Sequence, residues 1–182
     1  MTQRCIVALA AVVCFLAPQD VSAQTAADVQ RGDVSVGYSF MWEDGLTLPA
    51  GIMIADAWRV RPNLDVVLEF DFNHGTFLDA IGANIFTYQA GVRGSFGSAY
   101  GERVTQHLQL LAGMVTFRAS ALGDSVSSSG LAIQPGYGLN IPVSRVVSIR
   151  PQLDWLISRV EGSWGHDRRV TLSAAFRFFQ RQ

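Results

Sequence analysis

Arg169-Val-Thr-Leu-Ser-Ala-Ala-Phe-Arg-Phe-Phe179 decides the fold. Val170, Leu172, Ala174, Phe176 and Phe178 recur every second residue, with Thr171, Ser173, Ala175 and Arg177 between them. A period of two is the signature of an extended strand whose two faces meet different surroundings. The apolar face is long and aromatic, and the other is small and polar.

The same alternation recurs upstream. Val34, Val36, Tyr38, Phe40 and Trp42 alternate with Asp33, Ser35, Gly37 and Ser39 in a strand read over 33–42. Further strands are read over 50–60, 64–73, 84–97, 103–118, 130–141 and 146–158, which with 169–179 makes eight. The strand over 50–60 has the poorest pattern. Connections after the second, fourth and sixth strands are short, whereas those after the first, third, fifth and seventh read as longer, the last three as loops over 74–82, 119–129 and 159–168, the Ser-rich one mobile. Strands of about ten residues are long enough to cross a bilayer at a tilt, and short turns alternating with longer loops are the rhythm of a membrane barrel.

Composition agrees. Charged residues make up 16% of the 182 residues and hydrophobic ones 49%. Soluble domains carry about 25% charge. Beyond the leader no apolar run approaches the ~18 residues of a membrane helix. The net charge of −1 gives no reason to expect a nucleic-acid partner. All fourteen basic residues are Arg, which suits interior ion pairs. Met1–Ala23 reads as a secretory signal: Arg4, then an apolar stretch over 6–17, then Val21-Ser22-Ala23 with cleavage expected after Ala23. Residues 24–31 read as a polar lead-in and 32–182 as the barrel. Both cysteines, Cys5 and Cys14, fall in the leader, so disulfides and thiolate metal sites are excluded from the mature chain.

An eight-stranded barrel has an interior only wide enough for side chains. The bulk of the apolar face therefore belongs outside, against lipid. Trp42, Phe70, Phe72, Phe86 and Tyr88 fall toward one end and Trp58, Phe96, Phe176 and Phe178 toward the other, as two interface girdles require. The inner face then holds Glu69, Asp71, Arg93, Arg150, Asp154 and Arg177, charges that must pair in a narrow lumen. They can plug the lumen structurally, or line a narrow pore or proton path; the narrow bore favours the plug. Asp56 falls in phase with Ile52, Ile54 and Trp58, so it faces lipid unless a bulge shifts the phase. Pro135 and Pro151 lie inside strands and suggest a shared bulge.

His74 and His166 fall in expected external loops and His107 on the inner face, without metal-ligand spacing. Ser163 and Asp167 flank His166, which raises a Ser–His–acid hydrolase as the enzyme reading, although local proximity does not make a triad. Neither a cofactor nor catalysis is expected.

With the alternation, Gln134-Pro135-Gly136-Tyr137-Gly138 and the aromatic closing strand assembled, the chain resembles the small outer-membrane β-barrel families: the OmpA-like transmembrane domain, OmpX-type and opacity proteins, and related porin-family barrels. The resemblance covers the whole expected mature chain. It implies an all-β, eight-stranded antiparallel up-and-down transmembrane barrel in the bacterial outer membrane, with outer-membrane lipids and the barrel insertion machinery as partners. It also implies that Val170, Leu172, Phe176 and Phe178 carry the insertion signal. The expected role is structural or surface-interacting, as a monomer displaying four external loops. Alternatives are a lipid-modifying barrel enzyme, a small-solute pore and a soluble periplasmic ligand-binding barrel. Family members often end on the aromatic itself, whereas Phe179-Gln180-Arg181-Gln182 follow Phe178 here.

Overall fold

A computed structural model describes residues 29–180 apart from 44–45, 78–80, 100–103 and 122–123. The expected signal segment and its cleavage site at Ala23 lie outside the described residues. Eight strands follow in chain order: β1 (Val29–Glu43), β2 (Leu46–Arg61), β3 (Leu64–Phe77), β4 (Ile81–Ala99), β5 (Val104–Ala121), β6 (Asp124–Pro142), β7 (Val147–Val160) and β8 (Ser163–Gln180). Each pairs antiparallel with its sequence neighbours, and β8 closes on β1 from Val29↔Gln180 to Trp42↔Arg168, so no strand edge is left open. β1 begins inside the stretch read as a lead-in.

The two faces separate as the alternation requires. On β8, Val170, Leu172, Phe176 and Phe178 are exposed, while Thr171, Ser173 and Ala175 are buried in the lumen. The outward apolar run from Val170 to Phe178 is nine residues long. At ~3.3 Å per residue and a tilt of roughly 40° it covers about 23 Å, close to the apolar band of such barrels. Exposed Tyr38, Phe70, Tyr88, Tyr137, Leu153 and Trp155 continue the belt on other strands. Outward rings pair across strands, Phe70 with Tyr88 at 5.9 Å and Phe72 with Phe86 at 4.7 Å between centroids.

Three expectations are corrected. First, the stretches read as long loops are mostly strand. β5 and β6 pair out to Ala121↔Asp124, through the Ser-rich segment. β7 and β8 meet at a two-residue turn, Glu161-Gly162, whose φ angles of 49° and 87° are both positive. That is the form a tight hairpin takes between right-twisted strands, and glycine occupies the second position at no steric cost. The reason is physical: beyond the outward apolar belt alternation vanishes while pairing continues. Second, Pro135 and Pro151 make no bulge. β6 and β7 hold one register from Gly130↔Val160 to Pro142↔Ser148, and Pro135 stands opposite Trp155 while Pro151 stands opposite Leu139. Each proline interrupts the ladder without shifting it, because a missing N–H removes a bond and leaves the pleat intact. Third, Asp56 is not rescued by a phase shift. It pairs in unbroken register with Val34 and Leu68, both of the outer face.

Candidate functional site: an ion network across the lumen

The inward residues are not uniformly polar. Toward the end away from the chain termini Met41, Leu48, Ile85, Val115, Ala132 and Leu156 pack into one buried apolar cluster inside the barrel. On one wall Met53, Ala55, Ala57, Val67 and Leu111 form a second. The interior is therefore mostly polar, with two apolar sections set into it. Inward Met and Leu fill bore that small residues leave.

The charges gather against these clusters. Arg169 on β8 is 1% exposed and is the hub. Its guanidinium meets Glu69 on β3, Asp71 Oδ2 at 3.2 Å and Asp154 Oδ2 at 3.0 Å. Its Nε also donates to Asp154 Oδ2 at 3.3 Å. Amides tie the acids in place. Gln134 Nε2 donates to Glu69 Oε1 at 2.9 Å, and Gln152 Nε2 donates to both Asp154 oxygens at 2.9 Å. A second cluster lies toward the end that carries the chain termini. Arg150 grips Asp33 with two parallel bonds, Nη1 to Oδ1 at 2.9 Å and Nη2 to Oδ2 at 3.1 Å. This fork-to-carboxylate geometry is the strongest form of such a pair. Arg93 approaches the same Asp33 at 3.9 Å.

Gln109 joins the two clusters. Its Oε1 accepts from Arg93 Nη2 at 3.1 Å, and its Nε2 donates to Asp154 Oδ1 at 3.3 Å and Glu69 Oε2 at 3.4 Å. His107 accompanies it on the inner face, 3.2 Å from Gln152 Oε1 through Nε2. Side chains from every strand but β2 thus meet in one continuous web. β2 instead gives the apolar wall of Met53, Ala55 and Ala57.

Backbone without Cβ makes room for the web. A Cβ on Gly136 would stand 2.0 Å from Asp154 Oδ1, and one on Gly138 would stand 2.5 Å from the His107 ring. The Gln134-Pro135-Gly136-Tyr137-Gly138 run is read by this geometry. Gln134 holds Glu69, the glycines admit Asp154 and His107, and Tyr137 turns outward.

Of the charges expected in the lumen, Glu69, Asp71, Arg93, Arg150 and Asp154 join this web. Arg177 faces the same side but is only half-buried, with its guanidinium on Ser148 Oγ rather than on the acids. Two partners were missed, Arg169 and Asp33. Both keep the inward phase, Arg169 with Thr171 and Ser173, Asp33 with Ser35, and that phase was the signal available. The hydrolase arrangement is not assembled: His166 lies exposed on the outer face against Trp155, while Asp167 is buried on the inner face of the same strand. His74 also turns outward, with Nδ1 2.8 Å from Asn84 Oδ1. Among the described residues no group of His, Cys, Asp and Glu is placed to hold a metal ion.

No protein-family model matches the chain, and no curated protein matches it. Solved structures do. Ail, the attachment invasion locus protein of Yersinia pestis, is 20% identical over 82% of this chain and 99% of its own, with a TM-score of 0.57. The Neisserial surface protein A, NspA, is 12% identical over 80% of this chain and 94% of its own, with a TM-score of 0.62. The N-terminal β-barrel domain of Pseudomonas aeruginosa OprF is 12% identical over 82% of this chain and 100% of its own, with a TM-score of 0.55. The closed antiparallel sheet of eight strands, apolar outside and tied by ions within, has the fold of the small outer-membrane β-barrels.

Proposed function

We propose that the protein is a closed, membrane-embedded barrel of the bacterial outer membrane, with a structural or surface-interacting role and no conducting lumen. The observation that carries this reading is Arg169, held by three carboxylates from two other strands beneath the apolar cluster of Met41, Leu48, Ile85, Val115 and Leu156. An ion hub and a dry section in series leave no continuous water column across a bore this narrow. The outward belt supports embedding in lipid, and the likeness to Ail, NspA and the OprF barrel supports the outer membrane as the place.

In this reading the leader is removed after Ala23, and the barrel is assembled as a monomer by the insertion machinery, which reads Val170, Leu172, Phe176 and Phe178. All four side chains are exposed on the outward face, which supports this assignment. What the protein presents to the outside is the tips of its extended hairpins. Planar-bilayer recording of the refolded full chain tests the plug. Absence of single-channel steps is expected, and a steady ohmic conductance would refute it.

A further inference from the structure

The inward charges divide unequally along the bore. Toward the end that carries the chain termini Arg59, Arg93, Arg150 and Arg177 stand inward with only Asp33 and Asp65 among them. Register brings these groups together. Asp33 lies opposite Arg177 across β1–β8, and Asp65 lies opposite Arg59 across β2–β3 and opposite Arg93 across β3–β4.

Both carboxylates are already engaged. Asp65 accepts from Arg59, Nε to Oδ1 at 2.8 Å and Nη2 to Oδ2 at 3.4 Å. Asp33 has both oxygens on Arg150, and Arg93 comes within 3.9 Å of one of them. Arg177 faces Asp33 in register, yet its guanidinium donates to Ser148 Oγ. The next acid along the bore, Glu69, is held by Arg169, Gln134 and Gln109. Three guanidiniums therefore gather about the single carboxylate of Asp33.

The buried members also leave donors over. The side chains of Arg93 and Arg150 are only 3% and 5% exposed, and Arg93 Nη1 and Arg150 Nε have no hydrogen-bond acceptor. A buried charged donor without an acceptor is costly, so it marks where an acceptor belongs. The cluster is reachable from water at its own end, where Arg177 is half-buried and Arg59 is 25% exposed.

We infer that this mouth of the barrel is a binding site for the phosphate group of a water-soluble molecule. Arg177 meets the phosphate at the rim, and Arg93 and Arg150 stand behind it with charge and open donors. A phosphomonoester carries about −1.5 to −2 charge at neutral pH and three acceptor oxygens, which matches surplus guanidinium forks better than a singly charged carboxylate does. Position selects a solute over a lipid head group, because all three guanidiniums keep the inward phase, away from the apolar belt. The site stands on the near side of the Arg169 hub, so occupying it requires no passage through the bore.

The test folds the full mature chain in a neutral detergent and titrates it by calorimetry, at fixed ionic strength in chloride, with inorganic phosphate and separately with acetate. Saturable binding of phosphate is expected, roughly tenfold tighter than that of acetate. Arg177→Gln removes the rim cation and should weaken phosphate binding about tenfold or more, the loss of one charge-assisted hydrogen bond. Its heat-modifiable mobility should stay that of the folded barrel. Arg177→Lys keeps the charge without the fork and should fall between the two; it carries the test if the Gln variant does not fold. Arg168→Gln, exposed on the outward face, should bind as the wild type does. Phosphate no tighter than acetate overturns the choice of ligand, and unchanged affinity in Arg177→Gln overturns the site. Loss of phosphate binding in vesicles containing phosphatidic acid, but not in phosphatidylcholine alone, overturns the solute in favour of a lipid head group.

Discussion

Replacing Arg169 by Met keeps an unbranched side-chain stem and removes the guanidinium with its charge. Glu69, Asp71 and Asp154 all contact that one guanidinium, at distances up to 3.2 Å, and all are buried. Removing one partner of a buried pair costs about 3–5 kcal/mol, because the other charge is left uncompensated. Here three carboxylates lose the same cation, though Gln134, Gln152 and Gln109 still donate to Glu69 and Asp154. Those amides keep the cost from tripling, so a loss of about 4–5 kcal/mol is expected. Arg177 is the internal control. It is half-buried and its guanidinium donates to Ser148 Oγ, so Arg177→Met should cost about 1 kcal/mol. The assay is urea unfolding of the barrel in phosphatidylcholine vesicles, followed by tryptophan fluorescence and gel mobility. Adding Glu69→Gln and Asp154→Asn to Arg169→Met removes two of the stranded charges and should recover more than half of the loss. If Arg169→Met costs no more than Arg177→Met, the hub does not organise the lumen and the reasoning fails.

Other outcomes follow from the same geometry. Gly136→Ala puts a Cβ against Asp154 and should destabilise the barrel by about 1–3 kcal/mol, whereas Gly94→Ala, with nothing within 4 Å, should be close to neutral in the same unfolding assay. Asp56 stands on the lipid face between Val34 and Leu68, so Asp56→Leu should stabilise the barrel by about 1 kcal/mol in vesicles. Gly162, at φ 87°, should lose about 1 kcal/mol or more on replacement by Val, with slower refolding of the β7–β8 hairpin by stopped-flow fluorescence.

Legibility in the sequence followed the surroundings of each face. The outer face was readable because lipid demands an unbroken apolar row, and Tyr38, Phe70, Trp155 and Phe176 all stand where the alternation put them. The inner face was readable only in part. A lumen accepts Met41 and Leu156 as readily as Glu69, so polarity there is not periodic and the apolar cluster left no mark. Arg169 and Asp33 share the inward phase, but phase alone does not tell which inward charges meet across the lumen. Pairing across the barrel, such as Arg150 with Asp33, depends on closure of β8 on β1, which no local pattern encodes. The Ser-rich hairpin between β5 and β6 was unreadable because a strand with water on both sides has the composition of a loop.

The measurement that bears most directly on a barrel with a lipid-facing belt and a dry lumen is paired accessibility on β8, using single cysteines in the mature chain. Its natural sequence has none after Cys14, so each probe is the sole thiol. Leu172→Cys is 58% exposed as leucine and points to lipid, while Ala175→Cys replaces a fully buried inward alanine. In vesicles, a spin label at 172 should collide freely with oxygen and poorly with a water-soluble nickel chelate, and the thiol at 175 should resist a charged thiosulfonate reagent. A label at 172 that meets the nickel chelate, or a thiol at 175 that reacts at the rate of an exposed cysteine, would contradict the account.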